Sequence, residues 1–142
     1  MIDVERAEVG LLVQALRAAS RLAATVQREM TAEALNKGDR SPVTVGDYAV
    51  QAVVAAMMAS SLPEDALVGE EDAGALRDPE NAALLEQVAE FVRREMPDAS
   101  TGAVCDWIDR GNAEPGGRFW TLDPIDGTKG FLRGEQYAVA LA

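Results

Sequence analysis

The chain has 142 residues, 48% of them hydrophobic and 26% charged, a balance that fits one globular domain and excludes a disordered or collagen-like chain. A net charge of −11 argues against a nucleic-acid polymer as partner, because a phosphate backbone demands clustered Lys and Arg. The sequence contains no histidine, which removes imidazole bases, Ser-His-Asp triads and His-ligated zinc and leaves carboxylate, hydroxyl and backbone oxygens, the donors that suit magnesium, calcium or manganese. In chain order, the acidic N-terminus MIDVERAEVG lacks the apolar core of a signal peptide. Leu12, Ala15, Leu16, Ala19, Leu22, Ala23 and Val26 then recur at helical spacing and predict an amphipathic helix over 5–30. Loop chemistry from Asn36 to Pro42 ends it.

A second helix is expected from Val45 to Ser60, with Val50, Val53, Val54, Met57 and Met58 inward and Thr44 and Asp47 spaced as a capping box. Ala66-Leu67-Val68 reads as a short buried strand, followed by the polar loop Gly69-Glu70-Glu71-Asp72. A third helix is expected over 80–95, with Pro79 in its first turn and Ala83, Leu84, Val88, Phe91 and Val92 at core spacing. Residues 97–117 read as an irregular connection, Phe119 to Leu122 as a strand, Asp123 to Gly127 as a turn, and Gln136 to Ala142 as a last buried strand. No apolar run approaches the ~18 residues of a membrane span. The lone Cys105 rules out an internal disulfide, reads as chemically inert, and points to a reducing cytoplasm. The chain stops inside the apolar run Tyr137 to Ala142, so a piece cut within a larger domain is expected.

Chemistry concentrates in Trp120-Thr121-Leu122-Asp123-Pro124-Ile125-Asp126-Gly127-Thr128. Two aspartates held near each other after a strand repel, and the arrangement costs energy unless a cation or a proton lies between them. Pro124 stiffens the backbone and Gly127 lets it approach a ligand. Each residue also has a plain reading. Asp-Pro and Asp-Gly are ordinary turn formers, Asp47 could complete a cap, and Glu70 with Glu71 could be a solvated acidic loop.

The string from Trp120 to Thr128 resembles the W-x-x-D-P-x-D-G-T metal-binding signature of the inositol-monophosphatase superfamily. Its continuation, Lys129-Gly130-Phe131-Leu132-Arg133-Gly134-Glu135-Gln136-Tyr137-Ala138-Val139, resembles the 3′(2′),5′-bisphosphate nucleotidase branch, as does Ser41-Pro42-Val43-Thr44-Val45-Gly46-Asp47-Tyr48-Ala49-Val50-Gln51-Ala52 upstream. The long stretch between Glu71 and Trp120 also points to that branch.

The resemblance implies an α+β fold, the N-terminal part of the layered α/β sandwich of these phosphatases, incomplete at the C-terminus. Residues 1–142 then form the N-terminal metal-binding portion of a nucleotidase domain, cut after the DPIDGT motif. It implies Mg2+ held by Glu70, Asp123 and Asp126, by the carbonyl of Ile125, and by Glu71 through water. Asp47 and Thr128 orient the nucleophilic water, and Gly127 and Thr128 offer backbone donors to the substrate phosphate. Lys129 and Arg133 stay unassigned; Trp120 and Phe131 read as core. The implied activity is hydrolysis of adenosine 3′,5′-bisphosphate to AMP and phosphate, lithium-sensitive and linked to sulfate assimilation, with this piece weakly active or inactive. An inositol-phosphate or sugar-phosphate monoesterase is the alternative, and a non-catalytic, self-associating piece is the other. No membrane partner is expected.

Overall fold

A computed structural model describes residues 6–37 and 41–142. Helix α1 spans Ala7–Lys37 and α2 spans Ser41–Ser61. Strand β1 is Ala66–Val68; two short 3-10 turns, Ala75–Arg77 and Pro79–Asn81, lead into α3, Ala82–Val92. Then follow α4, Thr101–Asp109, β2, Phe119–Asp126, α5, Thr128–Leu132, and β3, Ala138–Leu141. The strands form one sheet in the order β1-β2-β3, with β1 parallel and β3 antiparallel to β2. This is a mixed α+β architecture, as expected.

The helices are organised around α2. Val45, Ala49, Val50, Val53 and Val54 are all fully buried and meet Ala19, Leu22, Ala23 and Val26 of α1, with Val88 and Val92 of α3 and Val104 and Ile108 of α4 in the same core. Small residues at the α1–α2 contact let two helices approach closely. By length and composition alone, α2 (mean hydropathy 1.3) and Ala7–Thr31 of α1 (1.2) could cross a membrane. Neither holds an unbroken apolar run of that length: α2 reaches its hydropathy through alanines and valines scattered along a helix with one charge. Those residues face the protein core.

Four expectations are corrected. Thr44 is the fourth residue of α2, so it caps nothing; Pro42 in the first turn is compatible with a helix starting at Ser41. The expected loop residues 38–40 lie outside the described residues. The stretch 97–117 contains a helix, α4, whose N-cap Ser100 accepts a hydrogen bond from the Ala103 N–H at 3.1 Å. Third, β2 runs on through Asp126 where a turn was expected. Finally, β3 is half-exposed rather than buried, with Val139 and Leu141 turned inward and Ala138 and Ala140 outward, because it lies at the sheet's edge. Phe131 is fully buried, as read. Trp120 is half-buried, and its indole N–H donates to Asp65 at 2.8 Å beside the Arg118–Asp65 ion pair.

The short α5 is pinned from two sides. Gln27 of α1 donates to the carbonyls of Phe131 (3.0 Å) and Glu135 (3.1 Å), and Glu135 N–H returns to the Gly130 carbonyl at 2.7 Å. A Cβ on Gly130 would collide with the backbone carbonyl of Gln136. Backbone cannot swing aside as a flexible side chain can, so Gly130→Ala should lower stability by about 2–3 kcal/mol. A urea melt reads this directly; a change within half a kcal/mol would show that the 135–137 segment yields freely.

Candidate metal and phosphate site

The acidic residues singled out in the sequence lie at one end of the sheet, carried by three elements. Asp47 sits on α2, Glu70 and Glu71 on the loop after β1, and Asp123 and Asp126 at the end of β2. What brings α2 to β2 is a packing contact next door. Gly46 faces Ile125, and a Cβ there would stand 2.5 Å from Ile125 Cδ1 and 3.4 Å from the Phe131 ring. The missing side chain allows the helix turn bearing Asp47 to lie against the strand bearing the aspartates.

The two aspartates of the DPID string share a side because the strand is irregular. Residues three apart in a regular strand point to opposite faces. Here Asp123 pairs with Ala140 and Asp126 with Ala138, so the register slips by one residue between them. Pro124, which has no N–H to give to a ladder, lies in the slipped stretch. Gly127 follows with φ +95°, a left-handed conformation that favours glycine, and opens α5 at Thr128. Thr128 is exposed, as is Asp126; Asp123 is half-buried.

Electrostatically the site is a cluster of like charge. Burial, and then the carboxylates of Glu71, Glu70 and Asp123, push Asp47 up from 3.8 to about 7. Glu70 is raised by burial and by Asp123 and Asp126, and Glu71 by burial, Glu70 and Asp72. Asp123 is raised by burial and by Asp126, against a partly offsetting hydrogen bond from the Ile125 backbone. Its Oδ1 is buried and has no hydrogen-bond partner. A buried orphan oxygen beside other carboxylates fits a hard divalent cation, which would satisfy the oxygen and cancel the repulsion. Among the described residues, no group of three or more Asp, Glu or Cys side chains stands close enough together to hold a metal ion. The donor chemistry suits a hard cation, while the carboxylates as placed do not by themselves make a metal site.

Sequence reasoning missed Gln51. It lies one helical turn after Asp47, fully buried, in an otherwise apolar stretch of α2. Its Oε1 accepts from the N–H groups of Glu70 (3.2 Å) and Glu71 (3.1 Å). Its Nε2 donates to the carbonyls of Glu71 (2.7 Å) and Ile108 (2.8 Å). The available signal was a long polar amide four residues after Asp47, on the same helix face. The loop is braced from behind as well. Gly69 N–H donates to the Gly111 carbonyl at 2.7 Å, and Asp109 accepts from the Ala73 N–H at 2.7 Å. Glu70 and Glu71 thus lie on a tethered segment rather than a freely solvated loop.

Comparison with known proteins now defines the class. The inositol monophosphatase family profile matches residues 4–142, and the chain belongs to that family. Among its relatives, a protein named 3′(2′),5′-bisphosphate nucleotidase from Schizosaccharomyces pombe is 43% identical over 153 residues, covering 96% of this chain and 43% of the relative. The 3′,5′-bisphosphate nucleotidase 2 of Arabidopsis thaliana is 42% identical over 148 residues, covering 95% of this chain and 43% of the relative. The 3′(2′),5′-bisphosphate nucleotidase 1 of Candida albicans (strain WO-1) is 46% identical over 121 residues, covering 76% of this chain and 33% of the relative. The chain spans less than half the length of these relatives.

Proposed function

We propose that this chain supplies the metal-binding portion of a magnesium-dependent phosphatase that hydrolyses the 3′-phosphate of adenosine 3′,5′-bisphosphate to AMP and phosphate. The observation that carries the reading is the carboxylate cluster on three elements, with the orphaned Oδ1 of Asp123 at its buried side. Similarity to relatives named bisphosphate nucleotidases supports the substrate class.

In this reading Glu70, Asp123, Asp126 and the Ile125 carbonyl would hold Mg2+, with Glu71 a looser contributor. When bound, the metal lowers the pKa of water and offsets charge on the phosphate oxygens. Asp47 and the Thr128 hydroxyl orient the attacking water, and the Asp47 carboxylate takes its proton. A bond forms from the water oxygen to phosphorus, the phosphorus–O3′ bond breaks, and the ribose oxygen leaves to be protonated. Backbone N–H groups at Gly127 and Thr128 steady the phosphate. The same reading makes the activity lithium-sensitive, places it in recycling a by-product of sulfate assimilation, and sets it in a reducing cytoplasm.

The test is phosphate release from adenosine 3′,5′-bisphosphate and from inositol 1-phosphate, each with and without Mg2+, in this chain and in the same protein extended to the length of its relatives. Preferred turnover of the nucleotide is expected from the longer protein. Equal or better turnover of the inositol ester would overturn the substrate assignment in favour of an inositol-phosphate or sugar-phosphate esterase. One observation favours self-association of the chain studied alone. Edge strand β3 borders a groove lined by Leu16, Val68, Val139 and Leu141 and, on its polar side, by Glu70 and Asp123. Light scattering that showed a clean monomer would remove that reading.

A further inference from the structure

We infer that Gln51 is the positioning residue of the metal site: its buried amide locks the backbone of both Glu70 and Glu71 and so sets where their carboxylates stand. The inference rests on the metal-binding reading of those two residues and deepens it.

A primary amide offers one oxygen with two lone pairs and two N–H donors. At Gln51 all four positions are used, two N–H groups arriving from Glu70 and Glu71 and two carbonyls, Glu71 and Ile108, being served. No other side chain of this length can do this. A carboxylate has no donor for the carbonyls, and an apolar chain takes a partner from four backbone groups, of which the Ile108 carbonyl alone keeps another, the Gly111 N–H at 3.0 Å. The pattern also fixes the orientation of the amide, since a flip would set N–H against N–H and oxygen against carbonyl.

The surrounding sequence is shaped to this amide. Gly69 stands directly before the acidic pair and Gly111 in the turn that follows α4, and a Cβ at either position would collide with the Gln51 amide group. Two glycines from different parts of the chain therefore make room for one side chain. The consequence is mechanical. α2 carries Asp47 on one turn and Gln51 on the next, so a single rigid helix positions one carboxylate directly and two others through their backbone. Side chains that orient metal ligands in this indirect way are typically worth 10–100-fold in metal affinity.

The test compares three variants of the full chain by Mn2+ titration, read by electron paramagnetic resonance of the free ion, alongside thermal melts of the metal-free protein. Gln51→Met removes the amide. Gly111→Ala keeps every hydrogen-bonding group and displaces the amide instead, so it carries the test should Gln51→Met fail to fold. Val92→Ala removes fully buried apolar volume in α3, away from the acidic loop, and controls for loss of stability alone. We expect Mn2+ affinity to fall roughly 10–100-fold in Gln51→Met and Gly111→Ala and to hold in Val92→Ala. Unchanged affinity in a folded Gln51→Met or Gly111→Ala, or an equal loss in Val92→Ala, would overturn the positioning role alone. A wild-type chain that takes up no Mn2+ would instead sink the metal-binding reading on which it depends.

Discussion

Asp123→Asn is expected to weaken Mg2+ or Mn2+ binding by more than ~100-fold, since even residues that only orient ligands are worth 10–100-fold. In the protein extended to its relatives' length, Mg2+-dependent phosphate release should fall at least as far. The substitution keeps the shape of the side chain and removes its charge. Asp123 Oδ1 is the buried oxygen without a partner, so an amide there offers at best one weak neutral donor oxygen to a cation. The metal-free chain should respond in the opposite sense. Asp123 is held above the usual carboxylate range by burial and by Asp126, and removing its charge relieves both itself and Glu70. A gain of about 1 kcal/mol without metal, together with lost binding, is the signature of a site that stores repulsion for a cation. Calorimetric titration and a urea melt on the same sample measure both. Wild-type affinity in the variant would show that Asp123 is no ligand.

The second large effect is a pH dependence that metal abolishes. Asp47 in the folded chain titrates at about 7 against an ordinary 3.8. Between those values the folded state holds a proton that the unfolded state has released, so stability falls as pH rises. The cost is absent below about pH 4 and fully present above about pH 7, and solvent screening of this part-exposed, coupled carboxylate keeps it below the roughly 4 kcal/mol of an isolated group. The metal-free chain should therefore melt lower at pH 8 than at pH 5, the reverse of a protein dominated by salt-bridged carboxylates. Saturating Mg2+ should flatten the difference, because a cation held by Glu70, Asp123 and Asp126 would offset the neighbouring charge that keeps Asp47 protonated. Asp47→Asn should flatten it without metal. A metal-free chain equally stable at both pH values would mean that water or rotation already relieves the cluster.

Several site residues could be recognised one at a time. The DPID string, the acidic pair after a short strand and Asp47 on a helix each stand out by type and spacing, and the structure places all of them at one end of the sheet. Gln51 offered only a weaker signal, a polar amide one turn after Asp47 in an apolar stretch, because the backbone groups it satisfies come from elements distant in the chain. Helix α4 was hidden by Gly102 and the flanking Gly and Pro residues, although Ser100 with Val104, Cys105 and Ile108 carries a cap and a core face. The turn expected at Asp123 became strand because β3 pairs across it, a contact from residues 12 or more positions away.

By itself the sequence determined the inventory: helical and strand periods, oxygen donors without imidazole, and a motif string specific enough to indicate a family. These are properties of residue type and short spacing, which local chemistry decides. Only the tertiary structure decided that Asp123 and Asp126 share a side, because that depends on a one-residue slip against β3. Likewise, only packing at Gly46 brings α2 close enough for Asp47 to feel Asp123 of the strand, and only the fit of Gly69 and Gly111 around Gln51 holds the acidic loop. Repulsion among four carboxylates is a sum over distances, and distances between elements exist only once the chain has folded.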